Sequence, residues 1–503
     1  MVVDHLIVGA GTAGCVLGAR LSEDPERSVL LLEAGPDYPE GTAPAPLCDS
    51  HTLPGAEWDW GLSAAVGDRR VGFPAGRLVG GTSRIGGAGA WRPPASDFDA
   101  WATRGLPEWS FERVGPAFNA VETDLQFGAR AWHGDAGPLP VTRCGEHELV
   151  PPMRGWLRAV LDAGHPWCED MNAPDATGVG FNPMARRGRA RVSAADAYLT
   201  PAVRARANLT VRSECAVERV VLEGSRAVGV VAGGELVRAR EVIVCAGVPL
   251  SPALLLRSGI GPADGLAAGG IPQRVDLPGV GGRLMDQPAV ILLAVPRTGN
   301  GDEPFLQLSA RLRAFPGFPE DDAFYLCLFN GIPVDAQLAA LIRSDRAHWL
   351  IVSDLAPAST GSITVRCADP AEPPVCDLRF YEKGEDLERM RAGVRALWEL
   401  TKHPAFVQTI DRMALVTDRM IGDELRLDGI VRGRAGSRQP WGGCAMGPAS
   451  EREAVVDGAC RVHGVESLRV VDSSVVPVPL RAGGTLTTLM IGERIAARIR
   501  EGG

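Results

Sequence analysis

"DHLIVGAGTAGCVLGARLSED", residues 4–24, followed by "SVLLLEAG", residues 28–35, decides the fold. "DHLIV" is a short apolar run of strand type. "GAGTAG" breaks it, and "AGCVLGARLSED" continues as a helix. A second apolar run then ends at Glu33. This spacing predicts a βαβ unit with glycines at 9, 11 and 14 and an acid 22 residues after Gly11. Gly9 permits the tight turn, Gly11 lets backbone approach a pyrophosphate, and Gly14 lets helix and strand pack closely. The helix N-terminus offers unpaired N–H groups and the positive end of its dipole to phosphates. Glu33 is placed to accept hydrogen bonds from an adenosine ribose. The alternative is a tight turn in some other α/β protein.

The bulk numbers bound the rest. The 503 residues allow two to four domains, or one large two-part enzyme. Hydrophobic content of 45% and charged content of 22% are ordinary for a soluble globular chain. A formal charge of −9 gives no electrostatic case for a nucleic-acid partner. Eleven cysteines show neither CxxC nor zinc-like spacing, so no metal site is expected, and several read as small core residues of a reducing compartment. The first residues have no basic region of signal-peptide type. No run approaches the roughly 20 apolar residues of a membrane span. The expectation is a cytoplasmic enzyme with a small-molecule substrate, without membrane or nucleic-acid partners. Its oligomeric state is not legible.

Downstream, 208–247 alternates apolar and polar residues, with turn signals, and ends in the buried-type run "EVIVCAG" and a second glycine turn. From about 297 to 435 the strand-like runs "AFYLCLF", "HWLIVSDL" and "GSITVRCAD" precede the helical "GEDLERMRAGVRALWELTKH". The last 65 residues return to the first style, with "SLRVVDSS" as strand and "TTLMIGERIAARIRE" as helix. Two units are therefore interleaved.

Several motifs then align with one family. "GRLVGGTSRIGGAGAWRPPASDFDAW" (76–101), "GVPLSPALLLRSGIGPADGL" (247–266), "DLPGVGGRLMDQP" (276–288), "HGDAGPLPV" (133–141) and "VHGVESLRVVDSSVVP" (462–477) come in the expected order. Over essentially its whole length the chain resembles the glucose–methanol–choline oxidoreductases. The resemblance implies a Rossmann-like FAD-binding domain (1–155, 191–296 and 436–503) interleaved with an α+β substrate domain on an antiparallel sheet (156–190 and 297–435). It implies FAD as cofactor. Thr12 and Ala13 would meet the pyrophosphate, and Glu33 and Ala34 the adenosine. Arg77, Val79, Gly81 and Thr82, with Gly86, would lie along the flavin side of the first motif. Val217 would reach the adenine by its backbone. Asp472 and Ser473 would support the phosphate–ribityl region. Ile85 stands where some members carry a histidine bonded to the flavin, so the FAD is expected to be non-covalent.

The pattern breaks at "SRQPWGGCAMG" (437–447). The family's histidine, which takes the substrate hydroxyl proton while hydride leaves for flavin N5, is matched by Gln439. Its partner asparagine or histidine is matched by Thr485. Gly86 replaces an asparagine, and Gln287 replaces the histidine of a "DHP" landmark. A positioned general base contributes about 10²–10⁴-fold, roughly 3–5 kcal/mol of barrier. Glutamine hydrogen-bonds but takes no proton at neutral pH. Three readings stay open: a biosynthetic-type oxidoreductase whose substrate needs no strong base or whose base comes from elsewhere, a redox-neutral or photochemical FAD enzyme (lyase, cyclase or decarboxylase), and a silent binding protein. Arg432, Arg434, Arg438 and Arg481 surround the position. One of them, with Arg438 foremost, is a candidate reader of an anionic substrate group. The alternative is an arginine-rich surface loop.

Overall fold

The computed structural model describes residues 2–297, 303–313 and 323–502. Strand Val3–Val8 lies at the centre of a parallel sheet, between Val29–Leu32 and Glu235–Val244. Leu6, Ile7 and Val8 are buried, as a strand covered on both faces requires. Leu209–Arg212 adds parallel to Val29–Leu32, and Leu468–Val470 adds parallel to the far half of Glu235–Val244. The near half of that ten-residue strand turns antiparallel, pairing with Arg226–Ala232, which pairs in turn with Val217–Glu223. One long strand thus joins the nucleotide-binding sheet to a β-meander. Helix Thr12–Leu21 covers the sheet and packs against the C-terminal helix Gly484–Arg500. A Cβ on Gly492 would lie 3.0 Å from Val16 Cβ, so the glycine sets how closely the two helices approach.

The second unit is a six-stranded antiparallel sheet in the order Ile410–Ala414, Ala289–Pro296, Arg346–Asp354, Ala323–Pro333, Leu308–Arg313, Gly178–Phe181. Its side chains alternate. Val290, Leu292, Leu326, Leu328, Leu350 and Val352 enter one core with helices Pro151–Asp162 and Gly384–Leu400. Ala289, Tyr325, Cys327 and Ile351 enter a smaller cluster on the opposite face, with Trp91 and Ala482 from the nucleotide-binding side. The site lies at that face.

Three expectations need correction. Strand Ala289–Pro296, expected in the FAD domain, is hydrogen-bonded on both edges inside the antiparallel sheet. Helix Pro151–Asp162 starts before the expected boundary at 156 and buries Met153 and Trp156 in the substrate-side core. "GSITVRCAD" contributes only Ser362–Thr364, which joins a small sheet with Val375–Asp377, Ser63–Val66 and Arg69–Gly72. In each case a local apolar pattern can mark a strand or a helix face, but it does not say which unit that face packs into. All eleven cysteines are free thiols. No helix among the described residues is long and apolar enough to cross a membrane.

Candidate functional site

The nucleotide end is built by three glycine loops folded onto one another. A Cβ on Gly14 would lie 2.0 Å from the Gly9 carbonyl oxygen, so no side chain fits at the start of the helix. Gly81, at φ +51°, would put a Cβ 2.7 Å from Gly11 Cα. The Gly80 N–H donates to the Ala10 carbonyl at 2.8 Å, locking the first motif onto the βα turn. Gly9, Gly11, Glu33, Ala34 and Val217 line one cavity of about 240 Å³, together with Trp60, Cys215, Ala216, Ala246 and Arg257. Thr12 and Ala13 occupy the first helical turn, where backbone N–H groups have no intrahelical acceptor. A narrow, small-residue cradle against a helix N-terminus fits the adenosine and pyrophosphate of a dinucleotide.

Glu33 is more constrained than its motif role implies. Oε2 accepts the Ala10 N–H and Oε1 the Gly35 N–H, both at 2.9 Å. Burial pushes its carboxyl up, and these two N–H groups oppose that. Each oxygen keeps a second acceptor direction beside the cavity it lines. Arg77 is exposed, its guanidinium 5.0 Å from the Trp60 ring centre. Val79 is fully buried, and its N–H goes to the Pro36 carbonyl at 3.0 Å. Thr82 Oγ1 accepts the Gly76 N–H at 3.1 Å and opens the short helix Thr82–Ile85. Gly86 closes that helix, and its carbonyl accepts from Arg191. Asp472 staples the second glycine turn: Oδ2 accepts the Gly247 N–H at 2.8 Å and the Ser251 hydroxyl at 2.6 Å. The Ser473 carbonyl accepts the Gly442 N–H at 3.2 Å.

At the reaction end, Met285 and Trp441 exchange backbone hydrogen bonds of 2.8 and 2.9 Å, bringing Asp286–Gln287 beside Arg438–Gln439. Asp286, which the sequence reading passed over, organises this junction. Its Oδ1 accepts three backbone N–H groups: Gln287 at 2.7 Å, Arg438 at 3.1 Å and Gln439 at 2.7 Å. Burial pushes its carboxyl up to about 6, while the Ser437 hydroxyl and these N–H groups favour the ionised form. Gln439 Oε1 accepts the N–H of Gly484, the first residue of the C-terminal helix, at 2.9 Å. Thr485 follows in the first turn, half-buried. Trp441 is buried beneath this helix start, 3.3 Å from where a Cβ on Gly484 would be.

Each of the eight histidines is placed by other surroundings. His5 meets Glu241, His51 meets Arg186, and His403 meets Asp162. His463 Nε2 bonds the Gly447 carbonyl at 3.0 Å. His147 is exposed, and His165 is half-buried, its imidazole held down by burial. His348 accepts the Gly331 N–H and faces the core side of the sheet, in step with Leu350 and Val352. His133 lies between Glu122 at 2.5 Å and Asp170 at 3.0 Å. Glu122, Asp124 and His133 gather like metal ligands, but Arg92 and Arg143 each approach one of the carboxylates to 2.7 Å and neutralise the group.

The flanking arginines separate. Arg481 Nε donates to buried Asp97 at 2.6 Å and its N–H to the same carboxylate at 2.7 Å, so Arg481 braces the chain rather than standing ready for a substrate. Arg434 donates to the Ile291 and Leu415 carbonyls. Arg432 lies over the Tyr381 ring at 6.0 Å. Arg438 alone turns to the apolar face of the sheet, 3.9 Å from the Tyr325 ring centre, with Nη1 2.5 Å from Gln287 Oε1.

This geometry agrees with what the chain is similar to. Two GMC oxidoreductase family profiles match residues 3–289 and 357–492. The chain is 34% identical to 5-(hydroxymethyl)furfural oxidase of Methylovorus sp., over 99% of this chain and 98% of that protein. It is 33% identical to oxygen-dependent choline dehydrogenase of Proteus mirabilis, over 99% and 96%. Among solved structures, pyridoxine 4-oxidase from Mesorbium loti superposes with a TM-score of 0.90 at 29% identity, covering 99% of both chains.

Proposed function

The chain belongs to the GMC oxidoreductase family and is an FAD-dependent oxidoreductase; from that premise we propose that it oxidises an activated alcohol without an imidazole base. The observation that carries this is the Gln439–Gly484 hydrogen bond, which occupies the glutamine carbonyl as a helix cap and leaves its Nε2 as the group able to meet a substrate oxygen. The relatives are named for choline, 5-(hydroxymethyl)furfural and pyridoxine, all alcohol-type compounds. Their names support an alcohol substrate here.

Gly9, Gly11, Glu33, Ala34 and Val217 would hold the adenosine half of FAD, Thr12 and Ala13 its pyrophosphate, and the Gly81–Thr82 segment its flavin end. Ile85 cannot form a covalent flavin link, which supports a dissociable cofactor. Hydride acceptance is the chemistry that bound FAD supplies. The chain's own residues orient the alcohol: Gln439 Nε2 donates, and the Thr485 hydroxyl donates or accepts. The N–H groups of Thr485 and Leu486, in the first turn of the C-terminal helix, favour negative charge by about 0.3–1 kcal/mol. That is well short of the roughly 3–5 kcal/mol of a general base. The substrate must therefore supply the difference as a weak carbinol C–H bond, as in benzylic or heteroarylic alcohols, with the hydroxyl proton leaving to water.

The test is anaerobic reduction of the purified yellow protein. Benzyl alcohol should bleach the flavin far faster than a saturated primary alcohol, and the rate should show no limb at an imidazole-like pH. Equal rates for the two alcohols, or a limb near 6.5, would overturn the reading.

A further inference from the structure

Of the arginines flanking Gln439, Arg438 is the one whose guanidinium lies on the site's face of the sheet without a carboxylate partner among the described residues. Arg481 is matched by Asp97, while Arg432 and Arg434 are turned elsewhere. Among the described residues, Arg438 meets no carboxylate. Its side-chain partners are the neutral amide of Gln287 and the face of Tyr325. Asp286 takes the backbone N–H of Arg438 rather than its guanidinium. Tyr325 cannot act as counter-ion, because burial raises its phenol well above the ordinary value. A half-buried guanidinium without a counter-ion has lost solvation and gained little in return.

The side chain is also held in place. Gln287, buried, donates to the Leu480 carbonyl at 2.6 Å and the Ala482 carbonyl at 3.3 Å, in the loop leading to the C-terminal helix. Tyr325 packs edge-on against Trp91, with centroids 5.1 Å apart. The guanidinium is thus fixed between an amide and a ring before any ligand arrives, which lowers the ordering cost of binding. Trp91, Phe305, Tyr325, Ile351 and Ala482 belong to one buried, largely aromatic cluster on the same side of the sheet. The Phe305 ring reaches to 3.3 Å from where a Cβ on Gly87 would be, next to the first-motif loop.

We propose that Arg438 is a substrate-binding residue that pairs with a carboxylate, so that the substrate is an aromatic or heteroaromatic alcohol carrying a carboxylate group. This rests on the oxidoreductase reading of the same site and adds the charge of the substrate to it. One guanidinium fork matches one planar carboxylate through two parallel hydrogen bonds, and the aromatic cluster takes the ring. A cationic alcohol such as choline would be repelled here.

The test compares benzoate with benzamide by titration calorimetry on the full FAD-loaded protein. Both probes offer a ring to the aromatic cluster, and only one is charged. The expected result is preferential binding of benzoate. Arg438→Met, which keeps bulk over Tyr325, should weaken benzoate binding about 10–100-fold and leave benzamide unchanged. Arg438→Lys, which keeps charge without the fork, should fall between. Equal affinities in the unaltered protein, no benzoate binding, or equal losses for both probes in Arg438→Met each overturn the proposal. The heat of binding decides this whatever the redox activity. A protein that takes up no FAD or shows no alcohol-dependent bleaching sinks the oxidoreductase reading separately.

Discussion

Gln439 and Gly484 are joined by a side-chain-to-backbone hydrogen bond of 2.9 Å, through which an amide caps the C-terminal helix. The Gln439 backbone is held in turn by Asp286 at 2.7 Å. Gln439 is therefore a structural clamp as well as a candidate substrate contact. The two roles respond differently to substitution.

Gln439→Ala removes the cap, and the cost should resemble loss of a helix-capping side chain, about 0.5–2 kcal/mol, read as a lower Tm. Gln439→His supplies a base. With benzyl alcohol its kcat should rise at least 10-fold and acquire a limb between about pH 6 and 7 that the unaltered enzyme lacks. An unchanged rate in Gln439→His would mean that proton removal does not limit turnover.

Asp286 links stability to pH. Its carboxyl is pushed from an ordinary 3.8 up to about 6 by burial, so the folded state holds the proton more tightly than the unfolded chain. Its contribution to stability is full below about pH 4 and is lost as pH rises through about 6. Asp286→Asn keeps an oxygen for the three N–H groups and cannot ionise. The difference in Tm, unaltered protein minus Asp286→Asn, should therefore fall between pH 4.5 and 7. A difference that stays level across that range would refute the assignment.

Asp97 and Arg481 form a pair whose carboxylate is buried and whose partners lie 384 residues apart in sequence. Arg481→Met removes the guanidinium from the buried carboxylate, leaves it only the backbone N–H, and should destabilise by about 3–5 kcal/mol. Adding Asp97→Asn should recover at least half of that. Chemical denaturation of the single and double variants gives the coupling, and additive losses would show that the pair does not act as a unit.

Gly81→Ala forces a Cβ to 2.7 Å from Gly11 Cα at a positive φ. The two loops must part, and they carry the N-terminus of the nucleotide helix. The variant should purify with less than half the flavin absorbance per protein of the unaltered chain, while far-ultraviolet circular dichroism stays near normal. Full flavin content would show that the contact does not shape the cradle.

Much of the fold was legible because its signals are local. The βαβ unit follows from apolar runs and three glycines within residues 4–33, and Val3–Val8, Thr12–Leu21 and Val29–Leu32 form it. Helices Gly384–Leu400 and Gly484–Arg500 fall where their patterns predict. The site was legible in part. Gly9, Gly11, Glu33, Ala34 and Val217 come together around one cavity, but the occupation of both Glu33 oxygens by Ala10 and Gly35 could not be read from a motif. Asp286 carries no local mark of its role, because two of the three N–H groups it accepts come from residues 152 and 153 positions away. Tyr325 and Asp97 carry no local signal at all.

The sequence by itself determined that this chain opens with a βαβ unit around a three-glycine turn, because that is a statement about residue type and short-range spacing. Tertiary structure alone decided which sheet receives Ala289–Pro296, that Arg481 is spent on Asp97, and that Arg438 is left facing Tyr325. Those outcomes depend on which distant segments meet once two cores have packed. The partner of a charge is set by the surface it is folded against, not by its neighbours in the chain.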